Sequence, residues 1–456
     1  MKKLLIIATL AAVGMGACSK DDGVSAPEDL RKYVQVTIPE NAASGETRTS
    51  VDGTTTSWVA GDKVAVSLYN GSTTEVCEFT VDRTGATTTF SGSVPVGSYT
   101  CAAVHYPFCA ATFDAVNKTF THTWGDAYCS TDLAAYDFMF STVYETPFVV
   151  DETTTVLPIA LTFRPLMARI GMKLALGANE TPKYVTFTTD DNVLPTAGTV
   201  NADGTFSASA LTNSLTVETD RKEFTVGLLP VGVASKMSVH VTTTDGMTYS
   251  DKSFQLAGLK RNTHYTMNVP CRTKRFMLTV PDGVNSKYGT GTYKNNEFYS
   301  VDPATDPTGI FKDWYFYRAE LKNTTNTARG DKLKGKNRIQ LQVALGGNNS
   351  NNGAFVTAPI QCDGTKTVTV SFTAATNRAI SANYWIGVTD NGPITSDWLR
   401  DINKISPHAE GLIPRSDNVS HSHTFTVTNG QRIMVKVSNT LGEHHLEFAD
   451  FTYTVE

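Results

Sequence analysis

Short runs in which every second residue is apolar recur along most of the chain. In YVQVTIPEN (33–41), Val34, Val36 and Ile38 fall on one face, Tyr33, Gln35 and Thr37 on the other, and Pro39 closes the run. A two-residue period predicts a half-buried β-strand. Burying a branched aliphatic contributes roughly 1.5–3 kcal/mol, so a domain that lost this strand would need another in its place. TTSWVAGDKVAVSLY, EVCEFTV, TTTFSGSV and YTCAAVHYPF follow, separated by Gly, Asn or Asp turns, and predict the strands of one sandwich. In the W-x-x-G-D element, Trp58 to Asp62, the tryptophan is expected to close one end of that core.

Near residue 158 the pattern restarts. PIALTFRPLMARIGMKLAL carries Ile159, Leu161 and Phe163 in alternation, then Ala168, Ile170, Met172 and Leu174 beyond Pro165. KYVTFTT, KEFTVGLLPV, MSVHVTTTDG and THYTMNVP continue at the spacing of a second sandwich. After residue 272 the composition shifts toward Asn, Gly and aromatics. WYFYRAEL, KNRIQLQVAL, KTVTVSFTA, YWIGVTD, RIMVKVSN and HLEFADFTYTV then predict a two-sheet jelly roll. The expected organisation is a leader over 1–18, a tether over 19–32, sandwiches over 33–157 and 158–271, and a jelly roll over 272–456.

Composition agrees with an all-β fold, because Thr, Ser, Val, Gly and Asn are abundant and extended amphipathic helical stretches are almost absent. The net charge of −5 offers no basic field for nucleic acid. Lys2 and Lys3, the apolar run Leu4 to Val13 and the small pair Gly16-Ala17 before Cys18 read as a bacterial export signal. Cys18 is the expected acylated residue, although Met15 stands where a lipobox usually has Leu. Lipidation would tie the chain to a membrane. Ser19-Lys20-Asp21-Asp22 resembles the acidic tag of surface-exposed outer-membrane lipoproteins.

Several residues are candidates for chemistry. Cys109 and Cys129 flank a loop region and are the best disulfide pair, the alternative being buried free thiols. Trp398 in a polar stretch, and Tyr384 or Trp385 in alternation, are candidate ligand contacts, because aromatic faces stack on sugar rings. The amides of Asn348 to Asn352 could add hydrogen bonds or simply form a hairpin tip. Asp450 in the closing strand is a weak candidate calcium ligand, a hard cation needing several oxygens. Pairs among Asp390, Asp397 and Asp401 could be posed as glycosidase acids, and His421, His423, His444 and His445 as metal ligands. Turn acids and strand histidines usually do neither, so no enzyme activity, catalytic residue or resident metal is expected.

The lipoprotein-type start, SGETR ahead of TSVDG, the Trp58 to Asp62 turn, Tyr106-Pro107 and the TFRPLMARI strand, in that order over residues 18 to 272, resemble the fimbrillin family of Bacteroidetes pilus subunits. The resemblance implies tandem transthyretin-like sandwiches and assembly by strand exchange. A trypsin-like protease would cut after Arg48, strand Tyr33 to Glu40 would leave, and a neighbouring subunit's C-terminal strand would fill the groove. Arg31 is a weaker site, since a cut there removes only the tether. Residues 272 to 456 more loosely resemble carbohydrate-binding jelly rolls. Because FADFTYTVE reads as the last strand of its own domain, the expectation is a tip subunit that binds host or bacterial glycans or proteins. The alternatives are a basal anchor, and a monomeric glycan-binding lipoprotein that does not polymerise.

Overall fold

A computed structural model of the chain describes residues 30–37, 50–52, 55–85, 88–160, 162–256, 258–279, 298–300, 311–322, 333, 336–343, 352–376, 381–390, 392–406, 408–414, 418–438 and 445–456. Almost all regular structure among them is strand, as the alternation predicts, and the fold is built of β-sandwiches. No helix among the described residues is long and apolar enough to cross a membrane.

The first sheet has seven strands in the order Arg31–Thr37, Thr89–Pro95, Thr74–Val81, Lys63–Tyr69, Cys101–Tyr106, Met139–Ser141 and Phe163–Pro165. Its inward positions gather Val34, Val36, Val64, Val66, Phe79 and Phe90 into one core. Trp58 lies at the end of that core, fully buried, with its ring edge-on to Phe90 at 5.0 Å and Phe163 at 5.3 Å. The turn after it is tied by the Val59 amide donating to Asp62 Oδ2 at 2.8 Å, and Gly61 supplies a φ of +93°.

The sheets run across both places where the sequence pattern restarts. Thr112–Asp114 and Thr119–Thr123 join Leu194–Asn201 and Phe206–Thr212 in a four-stranded sheet. Phe113, Phe120, Phe138 and Phe140 accordingly share a core with Ile170, Val185, Val226 and Val239. At the second restart, Lys274–Met277 pairs with Thr248–Leu256 on one edge and with His445–Val455 on the other, so one ten-stranded sheet spans both regions.

In the C-terminal region a six-stranded sheet, Phe298–Ser300, Tyr315–Tyr317, Ala354–Val356, Arg432–Val437, Ala382–Thr389 and His408–Ile413, faces the C-terminal part of that long sheet. Trp314, Phe316, Phe355, Phe372, Tyr384, Phe448 and Phe451 fill the space between. This is the expected two-layer packing of inward-facing alternate residues.

Cys109 and Cys129 are both free thiols, which corrects the disulfide expectation. Cys129 is buried, and burial pushes its thiol up to about 12, as for a small hydrophobe. Cys109 instead has its Sγ 4.0 Å from His122 Nδ1.

Candidate functional site: the first-strand seat, the closing strand and an aromatic patch

The first strand sits at an edge. It runs antiparallel to Thr89–Pro95 through seven residue pairs, from Arg31 opposite Pro95 to Thr37 opposite Thr89. Its other edge carries one parallel bridge, in which the Gln35 amide donates to Thr155 O at 2.9 Å and the Leu157 amide to Gln35 O at 2.8 Å. Val34 and Val36 are buried, whereas Arg31, Tyr33, Gln35 and Thr37 are exposed. The outward groups clip to the surface, with Arg31 Nη1 3.2 Å from Glu75 Oε1 and Lys32 Nζ donating to Glu152 O at 2.6 Å. Burial of the two valines stabilises this seat by about 3–6 kcal/mol. Cys18, Ile38 and Arg48 lie outside the described residues.

The closing strand is held differently. His445–Val455 pairs with Thr365–Thr376 along one edge, and with Arg338–Gln342 and then Lys274–Met277 along the other. Phe448, Phe451, Tyr453 and Val455 are buried, and the Tyr453 ring stacks on Phe276 at 5.0 Å. With both edges occupied, this strand cannot leave without opening the core.

Of the candidate ligand contacts, Tyr384 is a core residue, which corrects its assignment. It is fully buried, and its hydroxyl lies 2.9 Å from His423 Nε2. Burial pushes the Tyr384 hydroxyl up, and partial burial pushes the half-buried His421 and His423 imidazoles down. His444 lies outside the described residues.

Trp385 faces the other way. It and Trp398 are half-buried and pack with Tyr315 against a small cluster of Tyr317, Val356, Leu399, Ile405 and Met434 on the outer face of the six-stranded sheet. The short helix Ser396–Arg400 brings Trp398 there, its first turn capped by Thr395 Oγ1 accepting from the Trp398 amide at 3.2 Å. Beneath this helix Lys436 is fully buried and donates to Leu399 O at 3.1 Å and Asn352 O at 3.3 Å. Burial, with Arg400 nearby, pushes the Lys436 amine down to about 7 against a smaller upward pull from Asp401. Arg432 lies over the Tyr315 ring at 5.7 Å.

Arg432 and Lys436 escaped the sequence reading. They are alternating residues on strands that read as core, and only the partner strands show which face a loop or helix covers.

The acidic candidates act locally. Asp397 pairs with Arg400 at 3.3 Å, Asp401 accepts from the Asn403 amide at 3.0 Å, and Asp390 meets Gln431 Nε2 at 3.5 Å. Asp450, at a φ of +51°, is ion-paired to Lys336 at 2.5 Å. Among the described residues no group of three or more His, Cys, Asp or Glu is placed to hold a metal ion. Asn352 is buried and donates to Ser438 O at 3.0 Å, while residues 348–351 lie outside the description. A separate groove of about 720 Å³ opens on the second sandwich, lined by Lys183, Tyr184, Thr186, Thr242, Thr248 and Arg275 among others, none of them a sequence candidate.

A search of curated proteins returns no match. Among solved structures the chain is similar to a candidate cell adhesion protein from Bacteroides ovatus, at 17% identity and a TM-score of 0.34, over 53% of this chain and 92% of that one. It is also similar to the C-terminally truncated tip fimbrial protein Mfa3 from Porphyromonas gingivalis, at 13% identity and a TM-score of 0.28, over 56% and 96%. A third likeness is to a xylan-binding domain from Paenibacillus barcinonensis, at 12% identity and a TM-score of 0.22, over 31% and 85%. A family model described as fimbrillin-like matches residues 47–283, just over half of the sequence, and the chain therefore belongs to the fimbrillin-like family.

Proposed function

We propose that this protein is a surface pilus subunit of the adhesin type that receives a strand from a neighbour and gives none, and so occupies the tip. After export and acylation at Cys18 in the outer membrane, cleavage behind Arg48 frees the Arg31–Thr37 strand. The emptied edge beside Thr89–Pro95 then accepts the C-terminal strand of another subunit by β-augmentation.

The observation that carries this reading is the contrast between the two ends. The first strand has one full ladder and two buried valines, whereas the last has partners on both edges and five residues in the C-terminal core, Leu446, Phe448, Phe451, Tyr453 and Val455. The family match also starts at residue 47, leaving the first strand outside it. The C-terminal sandwich supplies the adhesive end, with Trp385 and Trp398 as ligand contacts for a glycan or a protein.

The test is digestion of the purified protein with a trypsin-like protease, followed by N-terminal sequencing. The expected product begins at Thr49 and binds a C-terminal strand peptide from a stalk subunit. A protein left uncut at Arg48 under conditions that mature other pilins removes the strand-exchange reading. Glycan binding by the uncut monomer would then favour the non-polymerising lipoprotein.

A further inference from the structure

The joint between the second sandwich and the C-terminal region contains a buried arrangement that the proposed function does not use. Lys274, at the root of the Lys274–Met277 strand, has a side chain 1% exposed. Its Nζ lies 2.7 Å from Glu180 Oε1 and 2.9 Å from Asp245 Oδ2, and it also donates to Gln361 O. Both carboxylates are buried as well. An amine and two carboxyls enclosed in this way are costly as free ions, because each has given up its hydration.

The surrounding donors distinguish the two carboxyls. Asp245 Oδ1, turned away from the amine, accepts from Thr243 Oγ1 at 2.5 Å and from the Met247 amide at 3.1 Å. Two fixed donors on that oxygen are what a tetrahedral intermediate at Asp245 Cγ requires. Glu180 is anchored on both oxygens, with Tyr249 Oη donating at 2.6 Å to Oε1, the oxygen that meets Nζ, and the Gly177 amide donating to Oε2 at 2.9 Å. Its Oε1 touches Nζ and is therefore placed to take up and return an amine proton.

We infer that Lys274 and Asp245 condense spontaneously in the folded chain to an intramolecular amide, with Glu180 as the proton relay. One ammonium proton passes across the 2.9 Å contact to Asp245 Oδ2, leaving a neutral amine beside a neutral carboxylic acid. The Nζ lone pair forms a bond to Cγ while Oδ1 carries the developing charge. A second nitrogen proton follows through Glu180, and the Cγ–Oδ2 bond breaks to release one water. The net change is ammonium plus carboxylate to amide plus water, with Glu180 returned unchanged. Enclosure of the reacting atoms supplies the effective concentration that the free groups lack.

The position gives the bond a use. Lys274–Met277 meets Thr248–Leu256 through only two residue pairs, Thr248 with Arg275 and Tyr249 with Lys274. A pull on the C-terminal sandwich loads that short ladder. An amide from Lys274 to the 243–247 turn carries the load covalently.

Peptide mapping of the full chain by mass spectrometry tests this directly. The expected wild-type product is one branched peptide containing Lys274 and Asp245, lighter by one water than its two linear parts, with no tryptic cleavage after Lys274. Two linear peptides at full mass from the wild type would overturn the proposal. Glu180→Gln keeps the shape of the side chain and is expected to give the unlinked, full-mass peptides from a protein whose circular dichroism is unchanged. If Glu180→Gln is linked to the same extent as wild type, the relay role fails.

Discussion

Val34 of the first strand stands directly across from Gly92, and the space a side chain would need at Gly92 is filled by the Phe79 ring. A Cβ there would meet Phe79 Cδ2 at 2.4 Å and the backbone oxygen of Glu78 at 2.6 Å, and the backbone contact cannot swing aside. Gly92→Ala is therefore expected to lower stability by about 1–3 kcal/mol, as overpacked cores do. At Gly97 the nearest atom to a built Cβ is 3.8 Å away, and Gly97→Ala is expected to stay within about 0.5 kcal/mol of wild type. Urea unfolding of both variants checks this, and coincident curves would count against the packing account of the seat.

The closing strand offers the opposite test. A chain ending at Glu443 loses Phe448, Phe451, Tyr453 and Val455 from the C-terminal core. Removing a large buried side chain costs roughly 3–5 kcal/mol, and several together exceed the roughly 5–15 kcal/mol that holds a domain. The truncated chain is expected to show no protease-resistant C-terminal fragment. A stable fragment would mean that this strand is expendable and free to be donated.

The reach of the sequence follows from the same physics. Alternation placed Val34 and Val36 inward and Pro39 beyond their run, and a single tryptophan before a Gly-Asp turn read correctly as core, because local patterns set these features. Alternation at Tyr384 and Trp385 says that one faces in and one out, but not which, and only the partner strands decide that Tyr384 is the inward one. Lys274 and Lys436 were illegible for a related reason. A polar residue in a strand reads as solvent-facing unless distant chain covers it, here Gln361 over Lys274 and the Ser396–Arg400 helix over Lys436. The merging of sheets at Lys274–Met277 is likewise long-range pairing with no local signature.

Lys436 makes the fold respond to alkali. Its folded amine titrates near 7, below its ordinary value of 10.5, and in the unfolded chain it titrates at that ordinary value. Between these limits the unfolded state binds more protons, so stability rises with pH. The penalty of the buried amine is full below about 7 and is relieved as pH climbs toward the unfolded value. Lys436→Met removes the charge at similar length and is expected to be more stable than wild type near neutrality, by an amount that shrinks toward pH about 10. Denaturant midpoints at several pH values measure it, and parallel profiles for the two proteins would show that Lys436 keeps water around its amine.

The two faces of the Ala382–Thr389 strand allow the proposed binding role and the core packing to be tested separately. Trp385 and Trp398 meet on the outer patch with Tyr315, so Trp385→Ala and Trp398→Ala are each expected to weaken ligand binding roughly 10-fold while the fold survives. Tyr384→Phe acts on the inner face. It leaves the patch intact but takes the hydroxyl from His423 Nε2, now 2.9 Å away. Loss of that half-buried hydrogen bond is expected to cost about 0.5–1.5 kcal/mol. A glycan array, read beside thermal unfolding of the three variants, distinguishes these effects. Wild-type binding by both tryptophan variants would move the ligand off this patch, and the Thr-lined groove of the second sandwich, with Lys183 and Arg275 at its walls, would be the surface to probe next.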